Sequence, residues 1–280
     1  MGEAVTLRVL DLGDELRCAV ADNPGPMTLD GTRTYLVGAG GAVLLDPGPS
    51  GGLEERLDAL VGGARVGMVC LTHAHPDHAE GAALAARRLG VPLGASAATL
   101  GRLGEEGVAL ADGEKIALDG GSTVLRVLST PGHSADHTSY LRLPGGELFT
   151  GDLVLGSGTA MVGDPDGHMG SYLASLERLI ELAPSRILPG HGDPVDDAVG
   201  RLREYHRHRE EREAQIERSV AEGARSVAEI RRDVYGRLPD GLDWAAAASI
   251  RAHLVHLEER GKRLPEIQGR EAGLPEHAEP

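Results

Sequence analysis

Short apolar runs separated by turn-rich segments fill the first third of the chain, a pattern typical of β-strands. Leucines three to four residues apart predict one helix over residues 53–60, and a second helix is predicted over 79–89. The runs bounded by Gly, Pro and Asp predict strands over residues 5–10, 34–38, 42–45, 66–71 and 91–93.

The same pattern returns further along the chain. A helix is predicted over residues 171–182, where Tyr172, Leu176 and Leu179 share one face. Strands are predicted over residues 115–118, 123–128, 138–143, 147–150 and 186–188. Two halves of strands followed by helices predict an α/β (α+β) fold, a sandwich of two mixed β-sheets with helices outside.

The pattern changes after about residue 200, where charged helices replace strands. Three helices are predicted here. The first covers residues 201–222, the second runs from the Ser226–Glu229 capping box to residue 235, and the third covers 244–261. We therefore predict two domains and a tail, which are residues 1–200, residues 201–268 and a disordered segment over 269–280.

Composition narrows the class of function. Aromatic residues make up only 2% of the 280 residues, so the core must consist mainly of Leu, Val, Ile and Ala. The formal net charge of −15 argues against the broad basic face of a strong nucleic-acid binder.

Several features predict a cytoplasmic location without a membrane partner. The first ten residues lack the apolar core of a secretory signal, and no apolar run reaches the length of a membrane span. Two cysteines are too few for a disulfide scaffold, and Cys70 lies in an apolar run that predicts a buried strand position.

The segment Thr72-His73-Ala74-His75-Pro76-Asp77-His78 concentrates metal-ligating side chains directly after a predicted strand. Because side chains alternate along an extended chain, His73 and His75 are expected to face the same side. Asp77 and His78 follow on the turn into a helix. Imidazole and carboxylate groups are ligands that zinc and similar divalent ions prefer.

Three more candidate ligands each follow a predicted strand and have Gly or Pro beside them, namely His133, Asp152 and His191. A single histidine, such as His168 or His206, is better interpreted as an ordinary surface residue. The candidate ligands as a set are not interpreted as surface residues, because four motifs occur in a fixed order: a His-x-His-x-Asp-His box, Pro-Gly-His, Gly-Asp and Pro-Gly-His-Gly.

This order of motifs resembles the metallo-β-lactamase superfamily over roughly residues 4–200. The resemblance implies an αββα sandwich with two metal ions between the upper edges of its sheets. One ion would be held by His73, His75 and His133.

The resemblance implies that a second ion takes Asp77, His78 and His191, and that Asp152 bridges both ions. It also makes Asp77 and Asp152 the expected catalytic carboxylates. A set without thiolate can hold zinc, manganese or iron, and of these we expect zinc. A water on two such ions would supply a hydroxide nucleophile.

The common zinc β-lactamases have a cysteine ligand where this chain has Asp152, so penicillin cleavage ranks low. The set is more similar to glyoxalase II, tRNA-processing nucleases and lactonases. The 130–137 and 151–156 segments and the C-terminal helices resemble the lactamase-β-like protein 2 family. That resemblance implies a winged-helix-like second domain, with residues 260–267 as a short wing.

Other residues near the ligands have weaker assignments. Asp46 resembles the family's buried Asp that orients a ligand histidine, although it could simply form a turn. His137, beside Asp136, could contact a ligand or the substrate, or could lie on the surface. The loop over residues 156–170 is a candidate substrate wall, with three residues singled out: Met161, His168 and Met169.

We therefore expect a hydrolase of an ester or thioester, small or carrier-bound, consistent with fungal relatives that release polyketides from carriers. The alternative is an endoribonuclease of single-stranded RNA, like the family's animal member, supported by arginines along the first C-terminal helix: Arg201, Arg203, Arg207 and Arg209. These alternate with glutamates, which favours a solvated face. A β-lactamase or a winged-helix DNA-binding regulator is the last choice.

Overall fold

The computed structural model describes residues 7–163, 165–239 and 241–271. Within these ranges the strands form two sheets. The first sheet has seven strands in chain order: β1 (Arg8–Asp11), β2 (Leu16–Val20), β3 (Arg33–Val37), β4 (Gly40–Leu45), β5 (Arg65–Cys70), β6 (Leu93–Ala95) and β7 (Val108–Ala109). Strands β1 to β4 pair antiparallel, and β4 to β7 pair parallel.

The second sheet has five strands: β8 (Lys115–Leu118), β9 (Thr123–Ser129), β10 (Thr138–Leu143), β11 (Glu147–Gly151) and β12 (Arg186–Pro189). Their order is β12-β11-β10-β9-β8, and only the β11–β12 pair is parallel. Both sheets are therefore mixed, which confirms the predicted sandwich.

Eight α-helices lie within the described ranges: α1 (Leu53–Val61), α2 (Pro76–Ala79), α3 (Ala82–Leu89), α4 (Ala97–Leu103), α5 (Met169–Leu182), α6 (Ala198–Ala221), α7 (Val227–Tyr235) and α8 (Asp243–Glu259). A 3₁₀ turn occupies Asp119–Gly121. None of the described helices has both the length and the apolar character needed to cross a membrane.

Alternation along the strands builds the layers. In β4, Val43 and Leu45 point into the cluster between the two sheets, where they meet Val127 and Phe149. Leu44 points the other way, into the cluster with α1 and α3. The outer face of the second sheet is covered by α5 and the start of α6. The layer order is therefore helix, sheet, sheet, helix.

Helix α6 belongs to two apolar clusters. Leu202 and Tyr205 pack against the second sheet's helical layer, and Ile216 and Val220 pack with α7 and α8. The predicted division after residue 200 falls three residues inside this helix, and the two-domain division stays a prediction. The predicted disordered tail lies mostly outside the described residues.

The predicted wing over residues 260–267 contains no β-strand. This segment is extended loop, and the adjacent Gln268 makes one isolated parallel bridge with Ser226. The described C-terminal part is therefore helical, with one isolated strand-like contact beside the segment where a short wing was expected.

The helix predicted over 79–89 is interrupted. The amide of Gly81 donates to Gly48 O at 2.9 Å, and a Cβ at residue 81 would also lie 2.9 Å from that oxygen. This close approach ends α2 and starts α3 as a separate helix. Strand β2, helix α4 and the two-residue β7 were not predicted from the sequence.

Candidate metal centre

The candidate ligands lie at one edge of the sandwich. His73 follows β5, His133 follows β9, Asp152 follows β11 and His191 follows β12. Strands β9 and β11 are both antiparallel to β10, so they run in the same direction as β12 and end at the same edge. The sheet topology therefore brings together residues from distant parts of the sequence.

The first group consists of His73, His75 and His133. The Nδ1 atom of His75 lies 3.0 Å from Nε2 of His73 and 3.1 Å from Nε2 of His133. His73 is fully buried, and His133 is 9% exposed. Three imidazole nitrogens therefore converge on one small space.

Hydrogen bonds on the far side of two rings orient this group. The Thr72 hydroxyl donates to Asp46 Oδ2 at 2.7 Å, so it can only accept from Nδ1 of His73, at 2.9 Å. The Nδ1–H of His133 donates to the carbonyl oxygen of Met161 at 2.8 Å. Both rings are thereby held as tautomers whose Nε2 lone pairs face the group.

The second group consists of Asp77, His78, His191 and Asp152. The Nε2 atoms of His78 and His191 lie 3.2 Å apart, and Asp77 Oδ2 lies 3.0 Å from Nε2 of His191. On their far sides, Nδ1 of His78 donates to Asp46 Oδ2 at 3.0 Å, while Nδ1 of His191 donates to a backbone oxygen, Gly31 O, at 3.2 Å.

Asp152, a member of the second group, also lies near the first. Its Oδ1 is 3.2 Å from Nε2 of His78 and 3.3 Å from Nε2 of His191, and its Oδ2 is 3.8 Å from Nε2 of His133. Oδ1 is buried, and no donor among the described residues makes a well-aligned hydrogen bond to it. The carboxylate of Asp152 is therefore within reach of candidate ligands from both groups.

The electrostatics differ between the groups. Burial, together with the neighbouring rings, holds the pKa of His73 well below its usual value. Burial also acts to lower the pKa of His191, but the negative charges of Asp152 and Asp77 outweigh it and raise that pKa to about 9. The second group therefore attracts positive charge, which a cation can supply in place of protons.

This donor set fits two divalent ions. The Nε2 atoms of His78 and His191 face each other at 3.2 Å, and the buried Oδ1 of Asp152 has no well-aligned donor among the described residues, so a cation between them would satisfy all three atoms. Imidazole and carboxylate ligands with their outer atoms fixed by hydrogen bonds are typical of zinc and related sites. The structure therefore has a candidate site for divalent metal ions.

A glycine makes this close packing feasible. A Cβ added at Gly190 would lie 2.6 Å from Cε1 of His78 and 2.8 Å from Oδ1 of Asp152. Gly190 is one of the glycines noted beside the ligands in the sequence, and its lack of a side chain permits this close approach.

A family model described as the metallo-beta-lactamase superfamily matches residues 27–191, a range that includes all seven candidate ligands. The chain belongs to the metallo-β-lactamase superfamily. Members of this superfamily are metal-dependent hydrolases, and this chain is one of them.

Relatives of this metallo-β-lactamase-fold chain cover most of its length. The "Beta-lactamase-like protein 2 homolog" of Drosophila melanogaster is 32% identical over 261 residues, covering 86% of each chain. The "Atrochrysone carboxyl ACP thioesterase" of Aspergillus fumigatus is 33% identical over 233 residues, covering 78% of this chain and 72% of the relative.

Solved structures show the same fold. A metallo-beta-lactamase family protein from Thermus thermophilus superposes with a TM-score of 0.72 at 24% identity, covering 90% of this chain and 95% of that one. At this identity the likeness concerns the fold alone.

Two residues predicted near the ligands lie against them. Asp46 accepts from the backbone amide of Thr72 at 2.8 Å in addition to its contacts with the Thr72 hydroxyl and with His78. His137 is 1% exposed, with its ring centroid 5.2 Å from that of His73, so it is not a surface residue. Its Nδ1 pairs with the hydroxyl of Thr130 at 3.0 Å.

The predicted substrate loop divides into two parts. Met161 lines the cavity beside the ligands. His168 instead caps α5, where its Nδ1 accepts from the amide of Ser171, and its Nε2 contacts Glu259. Met169 is fully buried in the core under α5. His168 and Met169 therefore stabilise the helix, and neither lines the cavity.

Sequence reasoning missed Asp166. Its Oδ2 lies 3.0 Å from Nε2 of His75, and its Oδ1 accepts from Arg102 at 2.7 Å. Arg102 also contacts Asp136, whose Oδ2 accepts from the amide of Ala74 at 2.9 Å. Asp166 has no motif around it that marks this role, because the contact is created by the fold.

Proposed function

We propose that this hydrolase cleaves the ester or thioester bond of a small or carrier-bound acyl substrate. The observation that carries the proposal is a cavity of about 260 Å³ beside the metal centre. His133 and Asp152 line one side of it, and apolar side chains such as Leu29 and Met161 line much of the rest. The apolar lining matches the chain of an acyl group. The side with His133 and Asp152 is where the substrate carbonyl must lie to reach the metal ions.

The proposed reaction adds water across the acyl–sulfur or acyl–oxygen bond. Bound divalent ions would activate the water and polarise the substrate carbonyl. The water oxygen bonds to the acyl carbon, the carbon–sulfur bond breaks, and the leaving thiolate takes up a proton. We expect the carboxylate of Asp77, which is 14% exposed beside His191, to hold the proton that the water loses.

One comparison and the net charge of the chain support this choice. The relative from Aspergillus fumigatus is named a thioesterase that acts on an acyl carrier protein. The net charge of −15 suits a small or carrier-bound acyl substrate better than a polyanion. We further propose zinc as the resident metal, since the site contains only imidazole and carboxylate ligands.

The alternative activity, cleavage of single-stranded RNA, loses support from the arginines of α6. Arg201 contacts Glu204 at 2.8 Å, Arg207 contacts Glu211 at 3.7 Å, and Arg209 is 3% exposed. Arg203 is exposed, but one exposed arginine beside three that are paired or buried does not make a basic face for a phosphate backbone. A regulator that binds DNA through the C-terminal helices would need the same basic face.

A thiol-release assay on N-acetylcysteamine thioesters tests the proposal. Metal-reconstituted enzyme should release thiol, and His73→Ala should lose nearly all of this activity. The matched control is His206→Ala, since His206 lies on α6 and contacts Glu177. If the wild type released no thiol but cut single-stranded RNA, and His73→Ala did not, the alternative would replace the proposal.

We propose that the enzyme works in a reducing compartment, the cytoplasm. Cys18 and Cys70 are both free and buried, and burial raises the pKa of the Cys18 thiol to about 12. The two thiols therefore behave as apolar core residues.

A further inference from the structure

The cavity beside the metal centre has a second side made by the C-terminal helices. Tyr235 ends α7, Leu238 and Leu242 lie in the connection to α8, and Ala246 lies on α8. With the α6 residues described below, we call this side the helical wall. It faces the loop that contains Met161, so the cavity lies between the sandwich and the C-terminal helices.

The size and lining of the cavity limit what fits. Its volume of about 260 Å³ lies just below the range of about 300–1,000 Å³ that is common for small-molecule pockets. Leu242 is half-buried and Ala246 is 5% exposed, so the lower part of the helical wall is apolar. A short apolar chain or a single ring matches this space.

The upper part of the helical wall is positively charged. Arg212 lies with its guanidinium 4.1 Å above the ring of Tyr235, and one of its amino groups donates to Val234 O at 2.9 Å. Arg209 donates to Ala160 O, and its buried Nε has no hydrogen-bond partner among the described residues. Within the described ranges, neither arginine forms an ion pair with a carboxylate, in contrast to Arg201 on the same helix.

The neighbouring histidine responds to this charge. His208 also lines the cavity, and burial together with the positive charges of Arg209 and Arg212 lowers its pKa to about 4. His208 is therefore neutral at physiological pH and does not compete for an anion. Two cations that pair with no carboxylate of the described residues, in a partly buried wall, favour a ligand that brings negative charge.

We infer that the site takes an acyl group with an apolar body and an anionic far end, such as a carboxylate. The body would pack against Leu242 and Ala246, and the anion would bind the guanidinium of Arg212. This inference rests on the proposed function, and it assigns to the C-terminal helices the role of selecting the acyl group.

A matched pair of substrates tests the charge recognition. The N-acetylcysteamine thioesters of hexanoate and adipate have the same chain length and differ in the terminal carboxylate. We expect the wild type to prefer the adipoyl thioester by roughly 10- to 100-fold in kcat/KM, the size of one charged hydrogen bond. The preference should appear mainly in KM, because the contact is present in the bound substrate.

Arg212→Met should reduce that preference at least fivefold, and Arg212→Lys should keep part of it. Arg203→Met is the matched control, since Arg203 is exposed on the same helix. It should leave the preference unchanged. Thermal unfolding of each variant shows whether it is folded. If Arg212→Met does not fold, the substrate preference of Arg212→Lys provides the test instead.

Two further variants test the apolar part. Ala246→Leu should fill the cavity and shift the preferred chain to fewer carbons, and Leu242→Ala should shift it to more. Ala214→Leu, at an exposed position of α6, is the control and should shift nothing.

The outcomes separate the two claims. Equal kcat/KM for the two thioesters in the wild type overturns this inference and leaves the proposed function standing. Loss of activity on both substrates in Arg212→Met by the same factor also overturns it, since that pattern shows a role in folding or chemistry. No cleavage of either thioester by metal-loaded wild type overturns both claims.

Discussion

The contact between Asp166 and His75 predicts that a loop residue outside the ligand set controls metal affinity. Asp166 Oδ2 lies 3.0 Å from Nε2 of His75, on the side of the ring opposite the ligand nitrogen Nδ1. Asp166→Ala removes the only carboxylate that the structure places against that ring within the described residues. The ring then loses its fixed orientation, and its ligand nitrogen becomes less basic.

The expected magnitude follows from the exposure of the pair. Loss of a hydrogen-bond partner behind a ligand histidine lowers metal affinity by about 10- to 100-fold, or about 1.4–2.7 kcal/mol. The side chains of His75 and Asp166 are 23% and 24% exposed, so solvent weakens the contact. We therefore expect the lower limit, about tenfold, for one of the two ions.

Competition titration with a chelating dye, which yields the two dissociation constants separately, measures this effect. Asp166→Asn should recover part of the affinity, because its carboxamide oxygen can accept from Nε2–H. Asp112→Ala is the control, since Asp112 forms an ion pair with Arg178 and contacts none of the ligands. Two unchanged dissociation constants in Asp166→Ala would refute the reasoning.

Three other perturbations have expected outcomes. In urea unfolding and elemental analysis, Gly132→Ala should lower the free energy of unfolding by at least about 2 kcal/mol and reduce the metal content. The reason is that its Cβ would lie 2.3 Å from the Cα of Tyr172, at a backbone φ of +144°. Tyr205→Phe should cost about 1–3 kcal/mol in urea unfolding, since the buried amide of Leu155 donates to the Tyr205 hydroxyl at 2.9 Å. Stripping the metal with a chelator should lower Tm in calorimetry, and the shift should be smaller in His73→Ala, which lacks one ligand of the first group.

The fold was largely predictable because most strands have clear boundaries. Gly and Pro mark the ends of β4, β10 and β11, and their apolar runs have strand length. Strand β2, Leu16–Val20, was missed because both of its faces are covered: Cys18 packs between the sheets and Ala19 packs toward the helices. A strand buried on both faces does not alternate between apolar and polar residues, and Arg17 also interrupts the apolar run of this strand.

The ligand set was visible for a different reason. Each ligand follows a strand and lies beside Gly or Pro, so the sequence order alone carries the constellation. Asp166 and Arg212 lack such markers. Their contacts depend on how the loop segment around Asp166 and helix α6 pack against the sandwich, and no local pattern encodes that packing. The shape and charge of the cavity could therefore be learned only from the structure.

The central claim is that two divalent ions in the His and Asp cluster support hydrolysis of an acyl thioester. The most direct test adds zinc stepwise to metal-free enzyme while thiol release and bound metal are measured on the same samples. We predict that the rate rises until two ions are bound per chain and then stays constant, and that His73→Ala, which removes one ligand of the first group, shows almost no release. Full activity in metal-free enzyme, or no thiol release with two ions bound, would contradict the account.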